Sequence, residues 1–370
     1  MGVELETYAV THGGPLCRVE ERLRILRDRP RGVARLAAIV VAIAWVPLIV
    51  AGVRWRMATG DWPIALREIE NHMRPLVMVP LLLAAEALIE ERARGAGRYL
   101  LHSRIVGDAC LERHQTIVAR TSRLRDSAVI EAALFTLALV SVFAAPSFTR
   151  EPERVIVWSL YPGALLYRFM ALRLLWRWCL WGSYLLQLAR LPLTLRPTHP
   201  DRLAGLAPLA EPSATFGVVV MTGAVAAAST WGDRMRFEHV HATAFGTVAI
   251  AYLIMSVIVA VAPLCAFTAR LVAARHEGQR TYGALANRYS DAFERRWLDR
   301  SGEEALGSAD FQALNDIGGS FERVEQIRPV LVTRSLLLSV LGSAALPMLP
   351  LIVAEVGAAE LLARLAKALL

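Results

Sequence analysis

Three arginines lie inside one long apolar stretch of the chain. Residues 155–193 are apolar and long enough to cross a bilayer, yet they hold Arg168, Arg173 and Arg177, with Trp158, Trp176, Trp178 and Trp181, four of the nine tryptophans. A cation at the centre of a membrane helix costs at least about 2.5–3.5 kcal/mol on insertion scales, so something must offset it. Arg173 and Arg177 are four residues apart and share a helix face, and Arg168, five before Arg173, is partly offset. One chemistry is a cationic lining for an anion path or a lipid headgroup site. The other is structural: the guanidiniums snorkel to the interface or pair with carboxylates between helices. Glu86 and Glu131 are the carboxylates inside apolar blocks. They are read either as proton- or cation-coupling groups, or partners of Arg177, or as wetted helix ends.

Other polar groups carry weaker chemistry. His199-Pro200-Asp201 lies in a proline-rich connection, where His199 and Asp201 can bond backbone groups and fix a turn. Glu238, His239 and His241, with Asp233 nearby, form an acid- and histidine-bearing turn. Its His-x-His lacks the four-residue spacing that puts two ligands on one helix face, so no metal is predicted. The four cysteines, Cys17, Cys110, Cys179 and Cys265, are scattered without a CxxC pair, which argues against a disulfide framework. There is no Gly-rich phosphate loop, GxSxG or HExxH, so neither an enzyme nor a cofactor is predicted.

The elements that must position these groups are membrane helices. The chain is 55% hydrophobic and 20% charged, and the apolar residues are gathered in blocks. The net charge of +8 follows the ends of those blocks, which fits orientation in a membrane and not nucleic-acid binding. Lys367 is the only lysine. The pattern predicts an all-α polytopic bundle of about seven transmembrane helices with a small helical cytoplasmic layer. Residues 1–35 form a basic cytoplasmic arm with no cleavable signal peptide. Residues 36–89 hold the first two spans, at 36–53 and 73–89, the second short enough to be re-entrant instead. Residues 90–126 are a cytoplasmic helical segment. Residues 127–271 hold spans three to six, at 127–145, about 164–191, 213–231 and 243–272, with Pro162-Gly163 expected to break the fourth. Residues 272–334 form a cytoplasmic stalk expected to pack on 90–126. Residues 335–370 hold the last span, at 336–353, and an amphipathic tail. The fifth span is rich in Ala, Gly, Val and Thr, which allow close helix contact. Arginines concentrate in 1–35, 90–126, 189–212 and 270–334, and that bias puts these segments and the N-terminus in the cytoplasm.

Three short motifs, Arg196-Pro-Thr-His-Pro-Asp-Arg-Leu-Ala-Gly-Leu, Asn315-Asp-Ile-Gly-Gly-Ser-Phe-Glu-Arg-Val and Ile327-Arg-Pro, resemble segments of uncharacterised bacterial multi-pass membrane proteins. The resemblance covers less than about a tenth of the chain and carries no activity with it. The expectation is a channel- or transporter-like protein of the bacterial inner membrane with an arginine-lined intramembrane site. The alternative is a non-conducting sensor or scaffold whose cytoplasmic helices bind a soluble partner. The expected partners are the lipid bilayer, an anion or anionic lipid, and further copies of the chain.

Overall fold

A computed structural model describes residues 29–144, 154–297 and 309–356. Most of the basic N-terminal arm and the amphipathic tail lie outside the described residues. Among the described residues 85% are helical and none is in a strand.

The first helix, α1 (Arg29–Thr59), exposes Ile39, Ile43, Val46 and Val50 at helical spacing along one side. A soluble helix turns its apolar stripe inward, so an outward one needs lipid or another chain against it. The same holds for two later helices, Ala128–Phe143 and Gly246–Val261. Two short turns, Ile64–Arg67 and Ile69–Met73, lead through a π turn, Arg74–Met78, into α2 (Val79–His102). Pro75 and Pro80 bring no N–H to this stretch, and the helix widens around them. The Asp233 carboxylate, reaching across from a later helix, accepts from the Ile69 and Glu70 N–H groups at 2.8 and 3.1 Å and satisfies the start of the run.

Helix α2 closes on Arg104 in the left-handed region (φ 54°), with the Ile105 and Val106 N–H groups returning to the Leu100 carbonyl. Next comes α3 (Asp108–Arg125), bent by 42° from α4 (Ala128–Phe143). Helix α5 (Arg154–Leu188) follows, then an irregular connection to α6 (Gly217–Phe237). Helices α7 (Gly246–Val261) and α8 (Thr268–Trp297) are joined by a tight 3₁₀ segment, Ala262–Phe267. Helix α9 (Ala309–Glu325) folds back on α8, and α10 (Arg334–Ala345) and α11 (Leu349–Val356) complete the described chain.

Among the described residues five helical runs are long and apolar enough to cross a membrane, or up to six if α3 and α4 count as one. That fits a multi-pass membrane protein. The second run, Ile69–His102, is 34 residues long and continuous, well beyond the short block expected from the sequence. Ala242–Trp297 also forms one run of 56 residues, as expected of a helix that continues past its apolar part.

Helix α5 is the axis of the bundle. Trp181, Tyr184, Leu185 and Leu188 are fully buried on the side of α5 that meets α2, α3 and the 3₁₀ segment. The Trp178 ring stacks on Phe216 at 4.2 Å, and its indole N–H donates to the Val259 carbonyl at 3.1 Å. That carbonyl lies four residues before Pro263, which has no N–H to offer it, so α5 satisfies a group that proline orphans in its neighbour. In return, Arg270 of α8 donates to the Ala189 and Arg190 carbonyls at 2.8 and 3.2 Å and caps the end of α5.

Two expectations are corrected. Pro162-Gly163 does not break α5: the helix runs from Arg154 through Pro162 to Leu188. Gly163 lets α1 and the π turn close in, with Ala44 Cβ at 3.8 Å and Pro75 Cδ at 4.0 Å from where a side chain would begin, and this packing outweighs one missing hydrogen bond. Nor do segments 90–126 and 272–334 pack chiefly on each other. Helix α3 lies on α5, burying Cys110, His114, Val118 and Thr121, with His114 Nε2 at 3.0 Å from the Tyr184 hydroxyl. Helix α8 takes α9 as its partner: Phe293 meets Phe311 edge-on at 4.8 Å, and Trp297 donates to Asp310 at 3.1 Å.

The small residues of α6 do allow close contact. At Gly217 a side chain would meet the Ser339 backbone oxygen of α10 at 3.1 Å, and at Gly223 the Tyr252 hydroxyl of α7 at 2.5 Å.

Candidate functional site

The cluster forms where α2, α4 and α5 meet, beside the bend into α3. Arg173 and Arg177 lie one turn apart on α5, only 4% and 3% exposed. Glu86 of α2 bridges them: the Arg173 Nη1 donates to its Oε2 at 3.0 Å, and the Arg177 Nη1 donates to its Oε1. Glu131, in the first turn of α4, completes the group. One of its carboxylate oxygens is 3.4 Å from the Arg173 Nε, close enough for ion pairing but not aligned as a hydrogen bond.

Two guanidiniums and two carboxylates make a buried group with no net formal charge. Removing each ion from water costs several kcal/mol, and mutual attraction repays that only with good geometry. The repayment is uneven. Glu86 is used on both oxygens, whereas Glu131 has neither oxygen in a hydrogen bond. Nε and Nη2 of Arg173 are also buried without an acceptor. Donors on one edge of a planar guanidinium thus face a carboxylate they do not hold.

Arg168 is placed differently. It donates to the Ser141 carbonyl, and also to the Ser141 hydroxyl at 3.3 Å. Ser141 is in the last turn of α4, whose carbonyls have no intrahelical donor, so Arg168 caps that helix. Arg74 and Glu70, at the start of the second run, act electrostatically on Arg168, and Arg125 acts on Arg177 from the α3–α4 bend. Arg74 is itself paired with Glu70 and lies 3.4 Å from the Asn71 side-chain oxygen. Charged groups therefore line the α2–α5 contact from the π turn to the bend. This outer group was not singled out in the sequence. The signal was available: Glu70, Asn71 and Arg74 at helical spacing, just before an apolar block.

His199 and Asp201 belong to a separate construction. The Asp201 carboxylate accepts from the Leu203, Gly205 and Ala207 N–H groups at 2.9–3.2 Å, and His199 Nδ1 is 2.9 Å from it. The loop it organises carries Arg202, Ala204 and Gly205 in the left-handed region (φ 57°, 55° and 93°). Only glycine enters that region without a steric cost, so the carboxylate offsets strain at the other two. The loop is tied outward by the Arg328 N–H to the Arg202 carbonyl at 3.0 Å, and by Pro197 against Gly278 of α8.

At the other end of the bundle, His241 Nδ1 is 3.0 Å from Glu355 of α11, which also accepts from the Ala242 N–H. Arg234 pairs with Glu238 at 3.0 Å. Nearby, burial and then the neighbouring Asp233 charge push the Glu68 carboxyl above its ordinary range, against the hydrogen bond from Asn71. Among the described residues no three His, Cys, Asp or Glu side chains converge as a metal site. Cys110, Cys179 and Cys265 are free thiols.

No family model, no curated protein and no solved structure matches the chain.

Proposed function

We propose that the protein is a transport-type membrane protein of the bacterial inner membrane, with its N-terminus in the cytoplasm. In this reading α5 is a further crossing helix, and the Arg173–Arg177–Glu86–Glu131 group is the intramembrane site. One observation carries it: Arg173, 4% exposed among apolar helices, keeps Nε and Nη2 without acceptors beside an unbonded carboxylate. A purely structural ion pair is favoured when all its donors are spent, because a buried unsatisfied donor costs about 1–3 kcal/mol. A cation held in this way inside a membrane marks a substrate or ion path. Arg168 belongs to the same path through its cap on α4. The chain works as a homo-oligomer within the bilayer, with anionic lipid at its basic cytoplasmic connections.

The test is flux through liposomes containing the purified protein, with chloride, nitrate and lactate offered in turn. Wild type is expected to pass at least one of them, and Arg173→Ala and Arg177→Ala to lose that flux. Absence of flux for all three from folded wild type contradicts the reading.

A second reading has its own observation. The α8–α9 hairpin closes an aromatic cluster of Phe293, Trp297 and Phe311 but leaves Leu285 and Phe311 exposed. That surface suits a soluble partner, as in a sensor or scaffold. Removal of residues 279–300 would then abolish partner binding and leave any flux intact.

A further inference from the structure

We infer that the site binds a small monocarboxylate together with one proton, the substrate's carboxylate taking the place of Glu131 against Arg173 while Glu131 becomes protonated. The inference deepens the transport reading and rests on it.

The two carboxylates of the group are held unequally. Glu86 is locked by a guanidinium on each oxygen. Glu131 touches Arg173 at 3.4 Å with neither oxygen hydrogen-bonded, so it is the member that can be displaced. What it would uncover is the Nε–Nη2 edge of Arg173. Two parallel N–H groups on one planar edge match the two oxygens of a carboxylate, a fit that a spherical halide does not use.

Charge fixes the stoichiometry. The charged groups acting on Arg177 are Arg173 on its own helix, Glu86 from α2, Glu131 from α4, and Arg125, paired to Asp126, from the bend between α3 and α4, and Glu131 itself lies against Arg173. Arg173, Arg177, Glu86 and Glu131 sum to zero. An anion entering alone would leave a net negative charge in a medium of low dielectric, where unpaired charge is costly. One proton on a Glu131 oxygen restores neutrality. Binding then brings in one anion and one proton, and release returns both, with Glu131 ionised and back against Arg173. No oxidant or other reactant is needed.

The experiment uses the full-length protein in phosphatidylethanolamine–phosphatidylglycerol vesicles, radiolabelled lactate outside, and an inward proton gradient with the membrane potential clamped by valinomycin. If one proton moves with each anion, a gradient of one pH unit accumulates lactate about tenfold. Proton entry, read by a trapped pH dye, should match lactate entry one for one. Glu131→Gln mimics the protonated carboxyl. It should lose accumulation on the gradient and abolish the pH dependence of lactate binding. Independently of any variant, lactate should raise the melting temperature of detergent-solubilised wild type at acidic pH and not at alkaline pH. Lactate uptake indifferent to the gradient, a Glu131→Gln protein with unchanged pH dependence, or a lactate-induced shift equal at both pH values overturns the inference. Chloride or nitrate flux that ignores the gradient overturns it while leaving the transport reading standing. Absence of all flux removes both.

Discussion

Glu86 carries more of the buried charge than any other side chain here. With a guanidinium on each oxygen, it compensates both Arg173 and Arg177. Glu86→Gln would strand two buried cations on one remaining carboxylate, and removing one partner of a buried pair costs on the order of 3–5 kcal/mol. Glu131→Gln leaves the same net charge, but Glu86 still bonds both arginines and only an unaligned contact at 3.4 Å is lost, so it should cost clearly less. Differential scanning fluorimetry of the two variants in detergent checks the order. Equal losses of melting temperature would mean that Glu131 is as tightly held as Glu86. At this scale the sequence showed which residues were suspect and left their partners open. Arginine-to-carboxylate pairing was one of two readings for Arg173 and Arg177, and spacing along α5 places them on one face without saying what faces them. Arg168 shows the limit most clearly. Its partner is a backbone carbonyl at the end of α4, and no residue type announces that.

Among the elements, α5 and α7 are coupled through a defect. Pro263 leaves the Val259 carbonyl without its helical donor, and the Trp178 indole supplies one at 3.1 Å. Trp178→Phe should therefore cost about 1 kcal/mol for the lost bond, beyond any change in packing. Pro263→Ala restores an N–H to α7, and in that background the same Trp178→Phe change should cost less. A double-mutant cycle on melting temperature measures the difference, and strict additivity would show that the two features are independent. Proline also marks where sequence reasoning overreached. Its missing N–H made Pro162-Gly163 look like a helix break, but local propensity yields to packing when a glycine beside it lets two helices approach. By contrast, the small-residue face of α6 was readable, because close contact with α7 and α10 follows from side-chain size alone. The left-handed residues around Asp201 were not readable beyond a fixed turn, since Arg202 and Ala204 have no intrinsic preference for that region.

For the molecule as a whole, apolar faces on α1, α4 and α7 point outward while charge is collected inside. Ile43, Val140 and Ile258 are among the exposed side chains, while Arg173 and Arg177 are among the buried ones. That inversion suits a bilayer and is what hydropathy could reveal, so the all-helical, multi-pass character was legible from the start. The number of spans was less legible. Helix α4 has 16 residues, about 24 Å, shorter than a hydrocarbon core of about 30 Å unless continued by α3. Helix α5 has 35 residues, about 52 Å, ample in length but interrupted by charge. How the two charged helical segments pair was not legible at all, since amphipathic stripes on α3 and α8 fix a buried face but not its partner. The central claim is that the chain is threaded through the membrane with the α3 end of the bundle inside the cell and the opposite end outside. Its most direct test is cysteine labelling in intact cells with a membrane-impermeant maleimide, after the native cysteines are changed to serine. Arg113→Cys on α3 should be protected until the cells are permeabilised, and Arg236→Cys at the end of α6 should label at once. Labelling of Arg113→Cys from outside with Arg236→Cys protected, or equal access to both, would contradict the account.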